Sequence, residues 1–111
     1  MIDTRYVGLI PAENPARQRA SVNLMVMADN RGEARVAPVR FYGRTTGPWR
    51  EVYMEPRELA AKTHIHLYFN LPASCFAPEK WDGEEPEELA LWAGETEPGP
   101  EEQGILLFLE P

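Results

Sequence analysis

Hydrophobic and polar positions alternate with a period of two through most of this chain. In "ASVNLMVMAD", Val22, Leu24, Val26 and Ala28 share one face, while Ser21, Asn23, Met25 and Met27 share the other. Successive side chains of extended backbone point to opposite faces, so the pattern predicts a half-buried strand. "DNRGE" follows, rich in residues that favour the positive φ of tight turns. "ARVAPVRFYG" then predicts a second strand, with Val39 and Phe41 opposite Arg40 and Tyr42. Pro38 has no N–H for a ladder, which places it at an edge or a bulge. After "TTGP", the segment "WREVYMEP" predicts a third strand, with Trp49, Glu51 and Tyr53 set against Arg50, Val52 and Met54. The most regular alternation comes next. Thr63, Ile65, Leu67 and Phe69 fall on one face; His64, His66, Tyr68 and Asn70 fall on the other. The prolines of "NLPASCFAP" end it.

The last third is less uniform. "LALWAG" predicts a strand, with Leu89 and Leu91 opposite Ala90 and Trp92. "PRELAA" carries helix-start and helix-stop signals and is expected as a loop or a single turn. "GILLFLEP" is apolar on both faces, as in a strand that is central or covered on both sides. That ties the C-terminal segment into the core, so loss of residues 105–109 should prevent folding. Between them, "ETEPGPEEQG" reads as an acidic loop near 95–103 without regular structure. Six or seven short strands with turn signals, and no long helical period, predict one all-β domain over 1–111. Its expected form is a β-sandwich of about seven antiparallel strands.

"VNLMVMADNRGEARVAPVRFYGR" resembles the first hairpin of bacterial immunoglobulin-like modules related to cell-adhesion domains. There, an alternating strand ends in an Asn-x-Gly turn and a second strand runs into V-x-F-Y. The resemblance covers about a fifth of the chain. It implies an immunoglobulin-like β-sandwich used as a spacer or binding module rather than an enzyme, and it carries over no functional residues.

Composition narrows the chemistry. The chain has 111 residues and a single cysteine. Cys75 therefore has no internal disulfide partner and belongs to no C-x-x-C motif, and it is expected as a small buried apolar residue. "MIDTRYVGLIPAENPARQ" has no long apolar core after a basic start, and no apolar run approaches a membrane span. The expected location is cytoplasmic, with no membrane partner. Charge is uneven: residues 1–62 hold ten Lys and Arg against seven Asp and Glu, and residues 63–111 hold one against eleven. The acidic excess disfavours nucleic acid. It suits a solvated acidic face, a basic protein partner, or self-association of the Arg-rich half of one copy with the acidic half of another.

His64 and His66, at i and i+2 of a strand, offer two imidazoles on one face. A zinc site would need Cys75, Asp or Glu to complete it, because there is no third histidine. The expectation is therefore two outward imidazoles without a shared ion, and no cofactor. Cys75 could pair with His64 or His66 as a nucleophile, but no helix N-terminus stands ready to lower its pKa. No G-x-S-x-G, G-x-G-x-x-G or phosphate-binding Lys loop is present. Phe69 and Trp92 are expected in the core by alternation. Trp49 and Trp81 flank loops beside Arg44 and Arg50. These four residues make a candidate interaction surface, since Trp and Arg are enriched in interface hot spots. The competing reading has each tryptophan capping an end of the core. The expected function is a non-catalytic protein-interaction or assembly module. Alternatives are a metal-binding protein or metal-dependent enzyme using His64 and His66, and a carbohydrate-binding module using Trp49 or Trp81.

Overall fold

The computed structural model describes residues 3–11 and 21–109. The stretch around Arg17 and Arg19, which adds to the positive charge of the first half, lies outside the described residues. Seven strands run in chain order: β1 (Thr4–Pro11), β2 (Ser21–Asn30), β3 (Arg35–Arg44), β4 (Arg50–Leu59), β5 (Thr63–Pro72), β6 (Glu88–Gly94) and β7 (Ile105–Phe108). They form a three-stranded sheet of order β1-β2-β5 and a four-stranded sheet of order β4-β3-β6-β7, with every pairing antiparallel. The all-β sandwich expected from the alternation is what the chain forms.

The two most regular sequence patterns become the most regular ladder. β2 and β5 pair over ten positions without a register shift, from Ser21 opposite Pro72 to Asn30 opposite Thr63. Val22, Leu24, Val26 and Ala28 are fully buried, as is Leu71 from the facing strand, and Leu67 and Phe69 beside it are buried. All of these except Ala28 join Val39, Phe41, Leu89, Leu91 and Leu107 of the other sheet in one core. Phe41 and Phe69 cross between the sheets edge to face, with ring centroids 4.9 Å apart, a geometry that adds to simple area burial.

Several expectations change. β2 and β3 do not form a hairpin: β2 pairs with β1 and β5, β3 with β4 and β6. The "DNRGE" segment crosses between sheets, and neither Asn30 nor Gly32 has positive φ. Asn30 is instead buried and anchors the corner. Its side-chain N–H groups donate to the carbonyls of Glu33 and Ala60, and its Oδ1 accepts from Thr4 Oγ1 and the Gly32 N–H. β4 takes up residues 56–59 of "PRELAA" as strand, and only Ala60 and Ala61 lie in the connection that follows. Pro56 faces Pro38 across the β3–β4 ladder. Two facing prolines fit where the antiparallel pattern requires no mutual N–H donation. Pro38 does not lie on an edge strand. It sits where β6 does not reach, since β3 first meets β6 at Arg40.

Two bulges disturb the period. On β4, Val52 is the extra residue between Tyr53 opposite Phe41 and Glu51 opposite Tyr42. On β1, Val7 is skipped between Tyr6 and Gly8, so Tyr6 and Leu9 both pack against the core despite their odd spacing. The alternation pattern does not predict β1. Two further corrections concern apolar faces. Trp92 lies between buried Leu91 and Ala93 and is only partly buried, outside the core. β7 is an edge strand rather than a central one, and Leu106 and Phe108 are 56% and 49% exposed.

Candidate functional site

Arg44, Trp49, Arg50 and Trp81 come together as two separate pairs. The Arg44 guanidinium lies 4.4 Å above the Trp49 ring, and that of Arg50 lies 4.8 Å above the Trp81 ring. Both indoles are buried, at 6% and 5% exposure. Trp49 Nε1 donates to the Gly99 carbonyl, and Arg44 donates to the carbonyls of Pro100 and Glu102. This pair therefore pins the acidic loop between β6 and β7. That loop re-enters the sheet through Gly104, at φ 67°, where a Cβ would lie 2.3 Å from the Leu91 carbonyl oxygen.

Trp81 belongs to the core and donates from Nε1 to the Cys75 carbonyl. Gly43 leaves room for it, because a Cβ there would stand 3.1 Å from its ring. Arg50 donates to the Lys80 carbonyl and to Asp82. The tryptophans thus close the sandwich, and neither presents an open ring face for a sugar. Cys75, in the short 3-10 turn Ala73–Phe76, is buried, and burial pushes its thiol pKa up. A raised pKa is the reverse of what a nucleophilic thiol needs.

His64 and His66 project from the outer face of β5 and are exposed. His64 Nδ1 lies 2.5 Å from Asp29 Oδ1, and the two Nε2 atoms are 3.2 Å apart. The hydrogen bond from His64 holds the Asp29 carboxyl below its ordinary range. Among the described residues, no group of three or more His, Cys, Asp and Glu side chains is placed to hold a metal ion. No described helix is long and apolar enough to cross a membrane.

Period-two alternation does not distinguish the two lateral sides of the sandwich. On the side where β4 meets β5, Arg57 spans the sheets. Its guanidinium stacks 4.2 Å from the Phe69 ring, donates to the Tyr68 carbonyl and pairs with Glu55. On the side where β1 meets β6 and β7, a cleft of about 230 Å³ opens between the sheets, lined mainly by Tyr6, Val7, Leu9, Leu91, Trp92 and Ile105. Within the described residues, β1 pairs only with β2 and β7 only with β6. Val7 and Ile10 on β1, and Leu106 and Phe108 on β7, are also exposed.

One end of the cleft is clamped by a polar network. Arg35 donates to both carboxylate oxygens of Glu95, at 3.0 and 2.5 Å, and to Thr4 Oγ1; the Tyr6 hydroxyl donates to Glu95 Oε2 at 2.8 Å. Burial pushes the Glu95 carboxyl up, but the hydrogen bonds from Arg35 and Tyr6 outweigh it and leave its pKa lowered. Tyr6 is raised, first by burial and then by its bond to Glu95. These residues join β1 to the ends of β3 and β6. Only the bulge at Val7 hides the β1 half of this site from a period-two reading.

No family model matches the chain, and no curated protein sequence matches it either. Solved structures similar to it include β-glucosidases. The chain is similar to part of a β-glucosidase from Erythrobacter marinus, with a TM-score of 0.66 and 18% identity over 97% of this chain and 15% of that one. A β-glucosidase from Listeria innocua, in complex with glucose, gives a TM-score of 0.63 and 15% identity over 97% of this chain and 16% of that one. A β-glucosidase of intestinal bacteria, involved in saponin metabolism, gives 0.57 and 20% identity over 86% of this chain and 14% of that one. The chain therefore spans about a sixth of the length of these proteins, and the likeness is one of fold.

Proposed function

We propose that this chain is a non-catalytic interaction or assembly module, and that it binds a protein partner along its β1–β7 side. The observation that carries this reading is the uncharged strand Ile105–Phe108, which among the described residues pairs only with β6, with Leu106 and Phe108 exposed and Ile105 lining an apolar cleft. An open strand edge accepts an added strand through backbone hydrogen bonds, and neighbouring pockets select its side chains. Glu88 stands opposite Phe108, and the half of the chain that holds β7 is strongly acidic. The partner is accordingly an apolar extended segment flanked by Lys or Arg. The fold likeness supports the reading, because a sandwich of this shape occurs there as a small part of much longer chains.

The same proposal includes an immunoglobulin-like description of the sandwich. In the constant-type arrangement, the first, second, fifth and fourth strands form one sheet and the third, sixth and seventh the other. Six strands here follow that assignment, and β4 has moved to pair beside β3.

Affinity capture from a lysate of the source organism tests the function, using the whole chain and its Phe108→Asp variant at low and high salt. The expected result is a defined partner, or a second copy, that Phe108→Asp no longer retains. Capture of nothing under either condition, with a monomer in sedimentation, would overturn the reading.

A further inference from the structure

His64 and His66 are two residues apart on β5, so both rings leave the same face of the sheet. Their Nε2 atoms, 3.2 Å apart, meet across solvent-exposed space. Two imidazole nitrogens bound to one ion at about 2.0–2.1 Å each stand roughly 2.9–3.4 Å from one another, for angles from square to tetrahedral. The observed spacing falls within that interval. Asp29 is the cross-strand partner of His64 and sits 2.5 Å from its Nδ1. With the Nδ1–H donated to this carboxylate, the lone pair of His64 Nε2 is left available. That is how a carboxylate fixes the tautomer and orientation of a metal-ligating histidine. The rings stand at 80° with centroids 5.1 Å apart, and the His64 side chain is 51% exposed, so both can turn toward a common point.

We propose that His64 and His66 bind one divalent transition-metal ion through their Nε2 atoms, with Asp29 as the positioning residue. Imidazole donors favour zinc, nickel and copper(II). They do not suit calcium or magnesium, which take oxygen ligands. No third protein ligand is at hand among the described residues, so water completes the coordination. The site lies on the outer face of the three-stranded sheet and does not depend on the β1–β7 reading.

Calorimetric titration of the whole chain at neutral pH with zinc chloride and nickel sulfate, and with magnesium chloride as the control, tests this. Zinc and nickel are expected to saturate at one ion per chain and to raise Tm, because an ion bound only by the folded strand stabilises it. Magnesium is expected to do neither. His64→Ala and His66→Ala should each weaken zinc at least tenfold, and Asp29→Ala about tenfold. All three side chains lie on the outer face, and unchanged circular dichroism would verify that the variants fold. Absence of saturable zinc or nickel uptake, or uptake that His66→Ala leaves intact, would overturn the site. Unchanged affinity in Asp29→Ala would overturn the positioning role.

Discussion

The outer strand on one side of the four-stranded sheet is β4, which carries Glu51, Glu55, Arg57 and Glu58, with Pro56 among them and a bulge at Val52. On the opposite side β7 reads Ile105, Leu106, Leu107, Phe108, with neither charge nor proline. Charges, prolines and bulges are the means by which sheets keep foreign strands from pairing with their edges. The β4 edge has all three and is also strapped to β5 by Arg57. The β7 edge has none of them, and the clamp of Arg35, Glu95 and Tyr6 holds only one end of the cleft beside it. The contrast with the protected β4 edge is the reason the proposed partner is assigned to β7.

The largest effect separates what β7 gives the core from what it shows to solvent. Leu107 and Leu109 are buried, at 0% and 2% exposure. Leu107→Ala should cost about 2–5 kcal/mol, since a buried leucine leaves a cavity as well as losing its transfer energy. Removal of residues 105–109 should abolish cooperative melting. A truncation ending at Gly104 that melts cooperatively would show that β7 is an ornament on the sheet.

Next in size is the contrast between the two straps. Arg35→Ala strips the Glu95 carboxylate of its bidentate partner at a site where the two side chains are only 24% and 12% exposed. The loss should be about 2–3 kcal/mol, because a mostly buried charge is left with Tyr6 alone among those bonds. Arg57→Ala removes a more open contact and should cost about 1 kcal/mol. Chemical unfolding of both variants measures the contrast, and equal losses would erase it. Acid sharpens it. The Glu95 pKa is lowered in the folded chain, so the stabilisation is fully present above the unfolded value of 4.5. It disappears as pH falls from there through the folded value. The gap between wild type and Arg35→Ala should therefore be constant from pH 6 to 7 and shrink below about pH 4.5.

These tests also mark where the sequence was informative. β2 and β5 were legible because their alternation is unbroken over ten positions, and that regularity follows from a ladder without bulges. β1 was not, because the Val7 bulge puts Tyr6 and Leu9 on the same side at a spacing no strand template expects. The end of β4 was hidden by Pro56 and its charges, which suggest a helix start when read alone and a protected edge when seen beside β3. That β2 and β3 lie in different sheets cannot be read from "DNRGE", where the buried Asn30 at the corner binds Ala60, thirty residues away. The candidate site suffered most. Both of its strands are edges, and edge status is a property of the whole sheet order.

The smallest energetic change bears most directly on the comparison of edges. In Pro56→Thr with Glu58→Val, the β4 edge regains an N–H and loses a charge beside Val36, its cross-strand partner and already 60% exposed. Neither replaced side chain is buried, so stability should move by no more than about 0.5 kcal/mol. Association should change far more, because an uncharged strand with its N–H groups available is a template for another. Sedimentation over a range of concentrations is expected to show self-association in the double variant beyond that of wild type. Adding Phe108→Asp should leave this new association intact, since it arises on the opposite edge. If the double variant stays as monomeric as wild type, then proline and charge are not what keeps β4 unpaired, and the exposed residues of β7 lose their significance by the same argument.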